Sequence, residues 1–352
     1  MSGYTKSNRI GNPDLKPELT VSWEAGADLD LFKDYLHLEY TYYERYSKNL
    51  IVNVSLPSSS GYTVTAKNVG QVNNKGHELL ARVYAIKNIK NVNWSIRLQF
   101  AKNDNLVKKV SPEADEINFS TGSIQVVAKE GLPLGTFKAY DYNRDPNGNI
   151  IVDPISGTPS ASSQFSYYGS YQPKYTLGLG STFSWRGLSI DVQFDVKQGG
   201  QFYSGTKEAG EWNGTTLSSL ENDRQPYVIP GSVISNGDGT YSENTVALQD
   251  VFENSGNIAN DVTARNLIDA SFIKLREASI SYTFDKKFFK NIPLSSISIS
   301  VIGRNLKYWL PKENVYADPE SNSFGYAGNV QGLEFGSVPT TRSVGFDIKF
   351  KF

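Results

Sequence analysis

Residues 341–352 read TRSVGFDIKFKF, and the order of residue types in this stretch sets the fold class. Val344, Phe346, Ile348, Phe350 and Phe352 alternate with Gly345, Asp347, Lys349 and Lys351. Successive residues of a strand point to opposite faces, so one face here is apolar and the other polar or charged. A soluble sandwich packs such an apolar face on a second sheet. An outer-membrane barrel turns it to lipid and lines its lumen with the polar face. The sequence stops on an aromatic with no tail after the strand, which favours the barrel.

Working back from this end, the same alternation recurs at residues 20–32, 35–46, 75–86, 92–104, 174–185, 188–198, 269–284 and 294–309. In 188–198, Leu188, Ile190, Val192, Phe194 and Val196 oppose Ser189, Asp191, Gln193, Asp195 and Lys197. In 269–284 the phase changes between Ile273, Leu275 and Ala278, Ile280, which predicts a bulge near Arg276 and Glu277. Joins at 33–34, 87–91, 186–187 and 285–293 are short, with Lys33-Asp34 read as a two-residue turn. Joins at 47–74, 105–173, 199–268 and 310–340 are long and rich in Gly, Ser, Asn and Pro. Alternating short and long connections are what an antiparallel up-and-down transmembrane β-barrel produces. Trp94 and Trp185 fall at short-turn ends and Trp23 and Trp309 at long-loop ends, as two interfacial girdles require. The pattern predicts one meander. Val21, Leu38, Leu98, Val192, Ile280 and Phe346 point outward, and Glu24, Glu39, Arg97, Asp191 and Asp347 point inward.

Composition fits. The 352 residues carry a net charge of -1, which gives no nucleic-acid footprint. There is no cysteine, so thiol catalysis, disulfides and thiolate metal sites are excluded. The 21 Tyr and 18 Phe suit strands. Mean hydropathy is -0.40, and no apolar run approaches the roughly 20 residues of a membrane helix. A barrel escapes such scans because every second residue is polar. Met1-Ser2-Gly3-Tyr4-Thr5-Lys6 reads as polar loop sequence with no signal peptide, so a barrel reading expects this chain to be the end of a longer protein.

Several stretches resemble the C-terminal part of SusC/RagA-type TonB-dependent outer-membrane transporters. They are Asn12-Pro13-Asp14-Leu15-Lys16-Pro17-Glu18 with Ser22-Trp23-Glu24, Asn74-Lys75-Gly76-His77-Glu78-Leu79, and Glu130-Gly131-Leu132-Pro133-Leu134-Gly135. Gln198-Gly199-Gly200-Gln201, Asp269-Ala270-Ser271-Phe272-Ile273-Lys274-Leu275-Arg276-Glu277, Gly303-Arg304-Asn305-Leu306, Asp318-Pro319-Glu320 and Pro339-Thr340-Thr341-Arg342-Ser343 follow in order. The resemblance implies an all-β barrel of 22 strands with an N-terminal plug, a strand number known for plugged transporters. This chain then supplies about the last nine strands, without the plug. Implied too are a Gram-negative outer-membrane location, import of glycans or peptides driven through the TonB complex, and a SusD-like lipoprotein lid.

Candidate sites remain few. Asp141, Asn143, Asp145, Asn147, Asn149 and Asp153 place oxygens at calcium-loop spacing, but Pro146 stands where an EF-hand needs Gly, and a turn hairpin fits better. His37 and His77 lie on different strands with no ligand cluster beside either, so no metal site is expected. The acids Glu24, Asp28, Asp30, Asp191 and Asp195 read as a solvated lumen face, and no enzyme or cofactor motif is present. Loop aromatics, chiefly Tyr140, Tyr142, Tyr203, Trp212 and Tyr227 beside Tyr167 and Tyr168, suit stacking on a glycan or peptide. Loop–loop packing or lid contacts read equally well. The competing function is a soluble all-β glycan-binding surface module, which detergent dependence separates from an importer.

Overall fold

A computed structural model of the chain describes residues 7–110, 116–120, 122–289, 292–325 and 330–352. Met1–Lys6, on which the leader reading rests, lie outside them. Nine long strands form the wall: β1 Leu19–Leu31, β2 Leu36–Ser55, β3 Val64–Ile89, β4 Val92–Lys109, β5 Tyr175–Trp185, β6 Leu188–Gln198, β7 Phe272–Asp285, β8 Ser296–Trp309 and β9 Ser343–Lys351. Each pairs antiparallel with its sequence neighbour in one continuous sheet, as the alternation predicts. A two-residue segment, Arg9–Ile10, adds in parallel beside β3.

Register keeps the two faces separate across the wall. Leu38 stands opposite Leu29 and Ala81, Leu98 opposite Ala81 and Leu179, and Ile280 between Ile190 and Val301. Phe346 continues the row beside Val301. This face stays uncovered: Val21 is 58% exposed, Ile280 50% and Phe346 79%. Among the described residues no second sheet packs on it, so the wall is not half of a sandwich. The buried core lies elsewhere, in the long connections, where Ile117, Val126, Phe137, Tyr203 and Leu333 pack together with Val107 from the end of β4. An apolar face left open along a whole sheet is what a lipid-facing wall shows.

The turns explain the short joins. Arg186 (φ 48°) and Gly187 (φ 93°) close β5–β6 as a two-residue turn of positive φ, the geometry that matches strand twist. Lys90 and Asn91 do the same for β3–β4. The β1–β2 turn is longer than the two residues read from sequence, because Phe32, Lys33 and Asp34 all take positive φ before β2 begins at Leu36. The bulge expected near Arg276 is present: Gln193 pairs with Glu277 and Phe194 with Leu275, leaving Arg276 as the extra residue.

One expected loop proves to be strand. Most of residues 47–74 extends β2 and β3, which run 20 and 26 residues, leaving only 56–63 as a connection. A tilted crossing of the hydrocarbon needs about 9–11 residues, so much of this hairpin stands clear of it. Leu50, Val52, Val54 and Leu56 do alternate there with Ile51, Asn53 and Ser55, but this run is short and stands between polar stretches, so the segment reads as loop.

Val192→Arg is expected to block assembly into membranes, whereas Gln193→Arg is tolerated. Val192 lies on the outer face between Ser181 and Ala278; Gln193 lies on the inner face between Gly180 and Glu277. Arginine at the bilayer midplane of a barrel's lipid face costs about 2–4 kcal/mol. The folded fraction of each variant of the intact receptor, read as heat-modifiable gel migration from outer membranes, checks this, and equal fractions refute the face assignment.

Candidate functional site

The polar face of the wall and the folded connections enclose a recess of about 860 Å³. Alternate residues of the wall strands supply its floor: Glu39 and Thr41 from β2, Glu78 from β3, Gln99 from β4, Thr176 from β5, Asp195 and Lys197 from β6, and Arg276 from β7. Tyr171, Gln201, Phe202, Glu320, Asn322 and Gln331 roof it. Carboxamides, hydroxyls and charges of both signs therefore face one space, which suits a polar solute and offers no nucleophile–base pair.

The roof is held to the wall by an ionic clasp. Lys274 is 1% exposed and its Nζ donates to Glu320 Oε2 at 2.5 Å and to Thr340 Oγ1 at 2.8 Å. Arg276, projecting from the bulge, pairs with Glu320 Oε1 at 2.6 Å and with Asp195 Oδ2 at 2.5 Å. Tyr308 donates to Asp318 at 2.9 Å, as do the backbone and hydroxyl of Thr340, at 2.9 and 2.7 Å. Burial by itself raises the carboxyl pKa of Asp318 and of Glu320. The donors outweigh it, from Thr340 and the Glu320 N–H for Asp318 and from Arg276 and Lys274 for Glu320, so both lie below the ordinary carboxylate range. A depressed folded-state pKa contributes stability that is full above the unfolded value, about 4, and lost as pH falls through the folded value. The protection of amides in residues 310–325, relative to their intrinsic exchange at each pH, is thus expected to be flat from neutral pH to about 5 and to fall on acidification below about 4. A loss of protection near pH 6 refutes the clasp as its cause.

The long connections interlock. Residues Gln201–Ser204 pair with Leu267–Asp269 and with Leu333–Glu334, and Val233–Ser235 pairs with Ile151–Val152, so three connections share two small sheets. Helix α1, Gly205–Trp212, starts at Ser204 and packs near α2, Val251–Asp261. Glu334, 1% exposed, accepts from Ser204 Oγ, Thr206 N and Oγ1, and Ser337 N, fixing the start of α1. Glu211, fully buried, meets Arg265 at 3.2 Å and accepts from Ser218 at 2.8 Å.

A family model described as "TonB dependent receptor-like, beta-barrel" matches residues 2–306. The chain belongs to that family. TonB-dependent receptor P3 of Formosa agariphila is 24% identical across 97% of this chain. TonB-dependent receptor SusC of Bacteroides thetaiotaomicron is 21% identical across 80%. The RagAB peptide transporter structure superposes with a TM-score of 0.70 over 97% of the chain at 20% identity, which establishes a shared barrel fold. The chain spans 35% of the length of the P3 receptor and 36% of the matched RagAB chain. These relatives are receptors and transporters, not enzymes, in keeping with the absence of catalytic motifs.

Within this TonB-dependent receptor chain the resembling motifs acquire physical roles. The DASFIKLRE stretch contributes Lys274, Arg276 and the bulge; Asp318-Pro319-Glu320 contributes the two clasp acids of the roof; Thr340 of PTTRS closes the clasp. Ser271 Oγ receives the Gly199 N–H at 2.7 Å, tying the QGG turn to β7. Nothing in the separate motifs reveals that they meet, and the clasp is the arrangement that sequence reasoning missed.

The five expected contact aromatics do not form one site. Tyr140 stacks on Phe165 with ring centroids 4.0 Å apart. Tyr142 accepts from Arg265 Nη1 at 3.0 Å, and burial raises its phenol pKa against the pull of that guanidinium. Tyr227, paired with Leu248, is pushed up to about 12 by burial and Glu221 and also senses Arg265. Trp212 is 51% exposed at the end of α1, beside an open groove that includes Phe335. Tyr203 is a correction: at 1% exposure, with its hydroxyl donating to Glu208 at 2.7 Å, it is core and presents no face for stacking.

Two further expectations resolve. Asp145 Oδ1 accepts from the N–H groups of Asn147 and Asn149, and Arg144 bridges to Ile150, so the Asp-rich stretch is a hairpin with that carboxylate engaged. His37, expected to stand alone, has Asp30 at 2.8 Å from Nδ1, Glu39 at 2.7 Å from Nε2, and Asp28 at 3.6 Å. Cross-strand pairing of Asp30 with His37 brings them together, a proximity that follows from hairpin register and not from residue spacing. His77 lies on the outer face, accepting or donating at Tyr40 Oη (2.8 Å) beside Tyr42.

Proposed function

We propose that this chain is the C-terminal barrel portion of an outer-membrane TonB-dependent importer, supplying part of the wall and the external loops. The observation that carries this is a single-layer, nine-strand wall with an uncovered apolar face, whose polar face is roofed by interlocked loops. In the complete protein the wall belongs to a barrel of 22 strands around an N-terminal plug, with a SusD-like lipoprotein lid over the loops and the TonB complex supplying energy from the periplasm. The roof of carboxamides and Tyr171 supports peptide as the solute class, in line with the function for which the RagAB transporter is named. Trp212, Tyr142 and Tyr227 are the loop aromatics offered to solute or lid. The soluble-module alternative is disfavoured by the open apolar face.

Accumulation of labelled peptides and oligosaccharides, compared in wild-type and gene-deleted cells with and without an uncoupler, tests the reading. Peptide uptake that disappears in both the deletion and the uncoupled cells is expected. Uptake indifferent to both removes the importer assignment.

A further inference from the structure

One rung of the wall's polar face runs His37, Arg82, Arg97, Gly180, Gln193 and Glu277 in direct register. Its outer members are satisfied: His37 by carboxylates, and Glu277 by Arg304 at 3.0 Å. Arg82 and Arg97 between them stand directly opposite each other, and among the described residues no carboxylate pairs with either. Lys274, Arg276 and Arg304, three further inward cations of this wall, each have an acid, while Lys197 and Arg45 make no ion pair among the described residues. Like charges directly opposite on one face of a sheet destabilise it, so the pair calls for an anion between its two guanidiniums.

The surroundings leave room for one. Both arginines border a polar recess of about 490 Å³ with Ser95 and Ser279. Asp191 and Glu277 also border it, but Asp191 is engaged by the hydroxyls of Thr182 at 2.7 Å and Ser189 at 3.1 Å, and Glu277 by Arg304 at 3.0 Å. Gly180 matters here, because a Cβ there sits 3.2 Å from Arg97 Nη2; the guanidinium lies across a strand that has no side chain to lift it. Two neighbouring guanidinium forks match the paired oxygens of a carboxylate or sulfate.

We propose that Arg82 and Arg97 form an oxyanion site on the lumen wall that takes a carboxylate or sulfate group of the solute passing through the barrel. This rests on the importer reading. Half-exposed arginines with hydroxyls at the rim suit a hydrated, reversible contact rather than a permanently buried pair.

The test uses the full-length receptor in detergent, titrated calorimetrically with inorganic sulfate and with succinate at constant chloride-balanced ionic strength. Saturable binding is expected for wild type. Arg82→Gln or Arg97→Gln weakens it roughly ten- to hundredfold, the double variant abolishes it, and Gly180→Val weakens it by displacing Arg97. Lys349→Gln, on the polar face of β9 and away from this recess, leaves it unchanged. Heat-modifiable migration equal to wild type confirms that each variant is folded. Unaltered binding by the double variant overturns the site. So does absence of binding to wild type, the result if an acid from another segment of the polypeptide already holds the pair. In cells, uptake of an acidic peptide falls in the double variant while a neutral peptide of equal length is unaffected; equal effects on both overturn the assignment to solute. Sulfate binding in a receptor that imports nothing removes the importer reading and leaves the site standing.

Discussion

The 352-residue chain produced by itself is expected to aggregate or be degraded, and to conduct nothing. The wall ends in β1 and β9, and neither has a partner on its outer side. All nine residues of β9 and nearly all of β1 are exposed. In an antiparallel strand about half of the backbone N–H and C=O groups point to each side, so two rows of them remain unpaired. Each such group costs several kcal/mol in hydrocarbon. In water the same edges, with Val344, Phe346, Ile348 and Phe350 unbroken by proline, are templates for pairing with other copies. Closure on itself would join β1 and β9, which run the same way in a nine-strand meander, in a parallel seam, an arrangement that bacterial single-chain barrels avoid by even strand counts although a 19-stranded mitochondrial barrel uses it. Co-production with the remaining strands of the receptor is expected to rescue it. Light scattering and outer-membrane fractionation check this; a monodisperse detergent-solubilised monomer of this chain that passes solute in liposomes overturns it.

Glu320→Ala is expected to release the roof over the lumen recess. It leaves Lys274, 1% exposed, with Thr340 and the ring of Tyr308 at 4.4 Å, and Arg276 with Asp195 and the Asn305 side-chain oxygen. Removing one partner of a buried ion pair costs about 3–5 kcal/mol, mostly because the remaining charge stays buried without compensation. The effect spreads along the 310–340 connection, since Glu334 anchors α1 and Leu333 pairs with Tyr203. Hydrogen exchange and limited proteolysis should show residues 310–325 opening while the wall strands stay protected. Glu320→Gln, which keeps one acceptor for these donors, should fall between. Protection of 310–325 equal to wild type in Glu320→Ala overturns the clasp. An oppositely designed change, Lys274→Met, removes both the charge and its desolvation cost and is expected to be far milder.

The alternation in residues 188–198 and 341–352 determined that there would be strands, which faces were apolar, and that neighbours would pair in one meander, because period-two patterning and tight turns are local properties. The phase change around Arg276 even located the bulge. Local pattern failed where its run was short. Residues 47–55 and 64–74 form strand, yet their one alternating run, Leu50, Val52 and Val54, is short and flanked by polar residues, and so they read as loop. Tyr203 carries the same letter as Tyr227, and only the pairing of 201–204 with 267–269 and 333–334 made one core and left the other half-buried. Lys274, Arg276, Asp318, Glu320 and Thr340 stand in separate motifs, and nothing in their spacing joins them. Arg82 and Arg97 are fifteen residues apart and became opposed charges through the β3–β4 register. The sequence by itself determined which residues face lipid and which face water, since that is set by the solvent each side chain must meet. Which of the water-facing residues meet one another was decided only by the tertiary structure, because electrostatic partners are chosen by distance in space, and distance across strands depends on register and loop closure.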